Sequence, residues 1–292
     1  MTTHDARRTD VTSSLAGRQN VPCPMADATP RTPPALPLIG AKQARADSGF
    51  LWESIANGPV RSRRLGVSLG LNLTPLQSKL CTFDCPYCEC GFNTAKAAYA
   101  RWPSPDEVDH SLRRALERLP EAPDWITFAG NGEPTMHPRY PVVVERVVAT
   151  RDELAPRTRV GVLSNGLTAG KAAVRAALLR LDGRMMKLDP GPAALVNGVS
   201  YDPAALVASY RALKPYTIQA MVVRGPDWDG SSDAAQEEWR RLVVAADPDA
   251  VHLYSLDRPP ADRRIQNVPR ERLIAMAQAI REALPRCEVE VF

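Results

Sequence analysis

Four of the six cysteines crowd between Cys81 and Cys90, and the first three, Cys81, Cys85 and Cys88, are spaced CxxxCxxC in a segment rich in turn residues. Thiolates are the protein ligands of iron–sulfur clusters, and one short segment carrying several of them can reach several corners of a small cluster. Three ligands leave one iron without a protein bond, and an open coordination position is what separates a chemical site from a structural one. The alternatives are a structural zinc site that also uses Cys90, or buried cysteines with no metal. Four ligands this close suit zinc poorly, because zinc motifs usually pair two separated, short-spaced knuckles. So dense a group in a chain of 292 residues points to ligation in a reducing compartment rather than to disulfides, with Cys23 and Cys287 standing apart.

Other residue groups have types that suit a ligand site. In Gly130-Asn131-Gly132-Glu133-Pro134-Thr135 the glycines allow close backbone approach, and Glu133 offers an anionic acceptor suited to an ammonium group; alone, the segment also reads as a turn. Ser164 and Asn165 bring a hydroxyl and an amide to a predicted strand end, although Asn165-Gly166 is also turn chemistry. Lys187 and Asp189 share one face of a strand, where buried charge must be bonded either mutually or to a ligand. Gln219 and Met221 lie on one face of another strand with Arg224 at its end, and Tyr254 and Arg258 close a further one; these residues are placed to line a substrate chamber. Arg61, Arg63 and Arg64 form a basic patch suited to phosphate, to ion pairs or to solvent.

These groups need elements to hold them. Short β-prone runs at Val67–Leu73, Trp125–Ala129, Arg159–Leu163, Arg184–Leu188, Thr217–Val223 and Ala250–Ser255 alternate with helical patterns, which is the signature of βα units on a parallel sheet. Ser104, Pro105 and Glu107 form a capping box that starts a helix running to about Leu119. Further helices are expected near Pro141–Ala149, Lys171–Leu181, Pro203–Leu213 and Ala234–Ala246, and Leu273, Met276, Ala277, Ile280 and Leu284 make a 3.6-residue stripe. The result is a (βα)6 pattern that fits an open doubly wound sheet or an incomplete barrel. In both, chemistry sits at the carboxyl ends of the strands, where the motifs above fall.

Residues 1–45 carry no apolar periodicity and are broken by Pro30, Pro33, Pro34 and Pro37, so a disordered arm is expected there, followed by one domain over 46–292. The formal charge of +4 is too small to argue for nucleic acid on electrostatics alone. No run approaches the roughly 18 apolar residues that span a bilayer, and the first residues lack a hydrophobic signal core. A cytoplasmic protein without a membrane partner is expected.

At the cysteine loop the sequence resembles the radical S-adenosylmethionine superfamily, whose signature CxxxCxΦC has an aromatic at Φ, here Tyr87. Gly58-Pro59, Ser62-Arg63-Arg64-Leu65-Gly66 and Gly132-Glu133-Pro134-Thr135 extend the likeness toward the subgroup related to tRNA wybutosine-synthesis enzymes. The resemblance implies an α/β fold of the partial (βα)6 TIM-type barrel kind. It implies a 4Fe-4S cluster on Cys81, Cys85 and Cys88, and S-adenosylmethionine bound at its open iron. Tyr87 would lie against the adenine, Gly130, Asn131, Gly132 and Glu133 at the methionine amino group, and Ser164 and Asn165 near the ribose. Lys187 and Asp189 would meet the cofactor or take part in catalysis, while Gln219, Arg224, Tyr254 and Arg258 face substrate.

It further implies reductive cleavage to a 5′-deoxyadenosyl radical that takes a hydrogen atom from substrate, with a one-electron donor such as flavodoxin or ferredoxin as partner. For the wybutosine-type subgroup the substrate would be a tRNA base, together with a second cysteine-rich motif. Cys23, however, is the sole cysteine before Cys81. A peptide, a protein glycyl site or a small metabolite are the alternative substrates, and a non-enzymatic barrel with a structural four-cysteine site is the alternative of another class.

Overall fold

In the computed structural model, which describes residues 39–40, 42–44, 49–94 and 100–292, the alternation read from the sequence builds one large sheet. A short antiparallel pair, β1 (Lys42–Ala44) and β2 (Phe50–Trp52), precedes it, followed by a hairpin of β3 (Ala56–Ser62) and β4 (Gly66–Leu71). The βα units then run α1 (Pro105–Arg118), β5 (Trp125–Phe128), α2 (Tyr140–Leu154), β6 (Arg159–Ser164), α3 (Ala172–Leu178) and β7 (Gly183–Lys187). After α4 (Ala193–Val196) and α5 (Pro203–Tyr210) comes β8 (Thr217–Met221), then β9 (Val223–Gly225) and β10 (Trp228–Asp229). The chain ends with α6 (Asp233–Ala246), β11 (Ala250–Tyr254), β12 (Gln266–Asn267), α7 (Arg270–Ala283) and β13 (Glu288–Val291).

The large sheet has the order β13-β11-β8-β7-β6-β5-β4-β3, parallel throughout except for the β3–β4 hairpin, and β9, β10 and β12 form a separate small sheet. Eight strands replace the six expected, because both edges escape a periodicity reading. The β3 edge is interrupted by Asn57-Gly58-Pro59, where its register shifts, and β13 is a four-residue strand at the chain end.

The two faces of the sheet differ in chemistry. Leu69, Ile126, Val162, Met186, Ile218 and Val251 face the helices and pack against Leu112, Val143, Leu178, Val207, Trp239 and Ile280 in one apolar core. With the side-chain period of two, the intervening residues point to the other face. There Lys187, Gln219, His252 and Glu290 lie in register across β7, β8, β11 and β13 as a polar row.

That face is concave. Arg64, in the β3–β4 turn at one edge, hydrogen-bonds Gln219 on β8 and stacks over Tyr254 on β11, and Arg63 pairs with Asp257 beyond β11. In a flat sheet β4 and β8 would lie roughly 19 Å apart, at about 4.8 Å per strand, which no arginine side chain spans. The sheet therefore curls into an open half-barrel with a polar interior.

Most of the arm expected over residues 1–45, Cys23 included, lies outside the described residues. Ile39 bridges to Gly58, and β1 pairs with β2. Among the described residues no helix is long and apolar enough to cross a membrane.

The capping box forms as read: Ser104 Oγ accepts from Glu107 N at 3.2 Å, and Glu107 Oε2 accepts from Ser104 N at 2.8 Å and from Arg101. The Arg101 guanidinium and the Ser104 donors hold the Glu107 carboxyl down to about 2, below its ordinary 4.5. The contribution of Glu107 to stability is thus present above about pH 4.5 and is lost as pH falls toward 2. Urea unfolding of Glu107→Gln and the parent is expected to differ at pH 7 and to converge as pH falls from 4.5 toward 2.

Candidate metal centre

The chain leaves the carboxyl end of β4 and carries the cysteines back across the end of β5. Leu80 N donates to Asn131 O at 3.0 Å and Glu133 N donates to Leu80 O at 3.1 Å, a parallel bridge that docks the loop. Gly132 is required at this contact, since a Cβ there would lie 1.8 Å from Leu80 O. The loop is also clasped on itself. Asn93 accepts from Cys81 N at 3.0 Å and donates to the carbonyls of Cys81 and Phe83 at 3.1 and 3.0 Å. Its own N–H donates to Asp84 at 2.8 Å. Lys79, 1 % exposed, donates to Asp84 Oδ1 at 3.1 Å and to Gly91 O at 2.7 Å.

Two amides from elsewhere in the barrel address the thiols: Asn165 Nδ2 stands 3.5 Å from Cys81 Sγ, and Asn197 Nδ2 stands 3.6 Å from Cys85 Sγ. Burial, then the neighbouring carboxylates, pushes the Cys81 and Cys85 thiols up, Cys85 to about 11. Cys88 moves down, because Cys90 hydrogen-bonds to it and Lys79 adds a positive charge. Cys90 Sγ also lies 3.4 Å from Gly130 O, so its one proton has two acceptors. Burial works against the Lys79 ammonium, but the charge on Cys88, Cys81, Asp84 and Cys85 outweighs it and holds the pKa high.

A buried cation near the thiols, with amide donors 3.5 and 3.6 Å from two sulfurs, is a setting that favours anionic sulfur ligands. Among the described residues no three Cys, His, Asp or Glu side chains converge on a single metal ion. Thiolates are the donor type an iron–sulfur cluster takes. Cys81, Cys85 and Cys88 are the donors that would hold it.

The residues expected at the cofactor are brought to one mouth, but several are already engaged with each other. Glu133 is buried and accepts from Thr135 N at 3.0 Å, Thr135 Oγ1 at 2.5 Å, Ser164 Oγ at 2.8 Å and Asn165 N at 2.7 Å. Four donors fill a carboxylate's lone-pair sites, so Glu133 braces the ends of β5 and β6. Burial still raises it above the ordinary carboxylate value. Asn131 holds Trp52 through both backbone groups, at 2.8 and 2.9 Å, and Asn165 Nδ2 donates to Thr82 Oγ1 at 2.8 Å. Gly130 passes so close to Asn72 that a Cβ would lie 2.3 Å from its Oδ1.

Deeper in the barrel Lys187 and Asp189 form the mutual pair, Nζ to Oδ1 at 3.2 Å, with side chains 19 % and 0 % exposed. The Tyr87 hydroxyl donates to Asp189 Oδ2, which also accepts from Asn197 Nδ2 at 2.8 Å, and Lys187 Nζ sits 4.9 Å from the centre of the Tyr87 ring. Gln219 and Tyr254 are inside the chamber. Arg224 instead lies on the small sheet, donating to Asn267 O at 3.3 Å, and Arg258 is half-exposed and paired with Glu89. Sequence reasoning missed Lys79, Asn93 and Asn197, and read Arg64 as part of a basic patch for phosphate, ion pairs or solvent without placing it against Gln219 and Tyr254. Nothing in their spacing distinguishes them; the one local signal is a lysine two residues before the first cysteine.

No family model matches the sequence. Over 135 residues, 46 % of the chain, it is 35 % identical to a protein of Brachyspira hyodysenteriae named GTPase Obg, of which it covers 19 %. Over 138 residues, 47 % of the chain, it is 35 % identical to a UPF0026 protein of Methanocaldococcus jannaschii, of which it covers 40 %. The chain thus spans less than half the length of these curated relatives. Among solved structures it is similar to a radical SAM methyltransferase from Sphaerobacter thermophilus, with a TM-score of 0.58 and 16 % identity, over 88 % of this chain and 77 % of that one. It is also similar to Streptococcus suis SuiB bound to S-adenosylmethionine, with a TM-score of 0.53 and 14 % identity, over 76 % of this chain and 50 % of that one. These likenesses establish the fold, a half-barrel of the kind found in radical SAM enzymes.

If the Leu80–Gly132 bridge docks the cysteine loop, Gly132→Ala should expose that loop. Limited proteolysis is expected to cut residues 74–94 markedly faster in Gly132→Ala than in the parent. Gly170→Ala, where a Cβ would meet nothing within 4 Å, serves as the control and should be cut like the parent.

Proposed function

We propose that this chain is a radical S-adenosylmethionine enzyme, with Cys81, Cys85 and Cys88 holding a 4Fe-4S cluster at the mouth of the half-barrel. The observation that carries the reading is the docked three-thiol loop, stapled by Lys79 and Asn93 and met by the Asn165 and Asn197 amides. The fold shared with the Sphaerobacter methyltransferase and with SuiB supports it. When bound, such a cluster supplies one electron to the sulfonium of S-adenosylmethionine, whose cleavage gives methionine and a 5′-deoxyadenosyl radical.

The residues of the chain have to orient and shield that event. Lys79 offsets part of the thiolate charge from beneath the loop. Asn165 and Asn197 donate toward Cys81 and Cys85, which fixes the sulfurs and stabilises their anionic form. Glu133 keeps the ends of β5 and β6 in register, so that the backbone of Gly130–Glu133 and the Ser164–Asn165 turn face the mouth as one surface. Tyr87, Asp189 and Lys187 form a connected wall whose charges are already paired, and such a wall does not itself attract a proton or a solvent ion into the chamber.

Anaerobic reconstitution with iron and sulfide is expected to load about four irons per chain. Reduction with S-adenosylmethionine present should then release 5′-deoxyadenosine and methionine. Cys81→Ala, Cys85→Ala and Cys88→Ala should each reduce cleavage to background, while Cys90→Ala keeps its iron. A colourless protein that takes up zinc, holds no iron and cleaves nothing would sink the reading in favour of a structural site built from all four clustered cysteines.

A further inference from the structure

Across the interior from β4–β6, the β3–β4 turn, β8 and β11 bring together polar side chains of which two, Arg64 and Gln219, have donors with no carboxylate partner among the described residues. Arg64 Nη1 donates to Gln219 Oε1 at 3.2 Å, and its guanidinium carbon lies 4.3 Å from the centre of the Tyr254 ring. Among the described residues no carboxylate pairs with it. Lys187 Nζ reaches the Tyr254 hydroxyl at 3.4 Å and lies 5.6 Å from the centre of its ring. Gln219 is 4 % exposed and turns its carbonyl oxygen to Arg64 and Tyr254, and its Nε2 is buried with no partner.

A buried amide donor left unpaired is destabilising unless something accepts from it. Arg64, partly buried and without a carboxylate partner among the described residues, suits the same kind of ligand. The charges around the group leave Arg64 uncompensated: Asp189 is taken by Lys187, and Glu290 lies on the edge strand beside His252, half-exposed and 3.4 Å from its Nε2. The field reaches His252, whose pKa burial and then Arg64 push down to about 4. Arg64 is held in place by its neighbour, since Arg63 pairs with Asp257 and anchors the hairpin tip across the opening.

We infer that Arg64, Gln219 and Tyr254 form a subsite for an anionic group, a carboxylate or a phosphate, on the substrate of the chamber. This assignment rests on the reading of the half-barrel as a radical enzyme's substrate chamber, and it narrows the substrate to an acid or a phosphorylated compound. Arg64 offers a forked pair of N–H donors suited to either oxyanion, and Gln219 Nε2 adds the donor that now lacks an acceptor. Such a substrate would be gripped at its anionic end by side chains of β8, β11 and the β3–β4 turn.

Calorimetric titration of the reconstituted full chain with inorganic phosphate and, separately, with acetate tests the subsite. At least one anion is expected to bind, with affinity about tenfold weaker in Arg64→Gln and partly restored in Arg64→Lys. Tighter phosphate binding would assign a phosphorylated substrate and tighter acetate binding a carboxylate. No binding by either anion, or equal affinity in the parent and Arg64→Gln with unfolding curves superimposed, overturns the inference. Cleavage of S-adenosylmethionine measured on the same parent preparation separates the two ideas. Cleavage without anion binding removes only the subsite, and Arg64-dependent anion binding without cleavage removes the radical reading.

Discussion

The arrangement depends on one short backbone contact, the parallel bridge between Leu80 and Gly132. A loop that must wrap a compact object cannot be regular, so something regular has to hold it. Here the carboxyl end of β5 does, through Asn131 O and Glu133 N. The bridge requires a residue without a Cβ at position 132 and a fixed peptide on either side. Asn131 supplies one anchor by tying itself to Trp52, and Glu133 supplies the other by gathering donors from β6 and its following turn. Residues that look like ligand contacts are thus first of all the foundation of the ligand loop.

The same economy governs the sheet. Its helix-facing side is a continuous apolar layer, while the concave side carries Lys187, Gln219, His252 and Glu290 in one row. Polar side chains on the inner face of a closed, packed barrel would be costly. They persist here because the sheet stops short of closure and because most of them bond to one another. The β3–β4 hairpin carries Arg63 and Arg64 across the remaining gap to Asp257, Gln219 and Tyr254. Curvature of the sheet and chemistry of the interior are therefore coupled through a turn that the sequence presents as a surface basic patch.

The six inner strands are legible in the sequence because each is a short β-prone run of four to six residues set between helical patterns. The edges are less legible: β3 is broken by a glycine–proline step, and β13, though Glu288-Val289-Glu290-Val291 alternates, is a half-exposed edge strand with a carboxylate at every second position. The three thiols are legible because their spacing is local. Their partners are not, since Asn197 meets Cys85 from 112 positions away and Asn165 meets Cys81 from 84, and no local pattern encodes such pairings. The same blindness explains Glu133, Ser164 and Asn165. Their types and strand-end positions mark a site, but only the fold shows that their polar atoms satisfy each other before any ligand arrives.

Charge is distributed unevenly across this interior, and the division follows the strand order. Thiols, Glu133 and the Asn165 turn belong to the β4–β6 side, with Lys79 buried beneath them. Arg64 and the unpaired donor of Gln219 belong to the β8–β11 side. Between them β7 contributes a neutral divider, since Lys187 and Asp189 cancel each other and Tyr87 seals Asp189. On the proposed reading, a sulfonium cofactor is drawn toward the anionic side and an acidic substrate toward the cationic one. In a chamber of low dielectric such differences of sign are felt far more strongly than in water, so each molecule disfavours the other's position. On that reading β7, which lies between β6 and β8 in the sheet, separates the two sides.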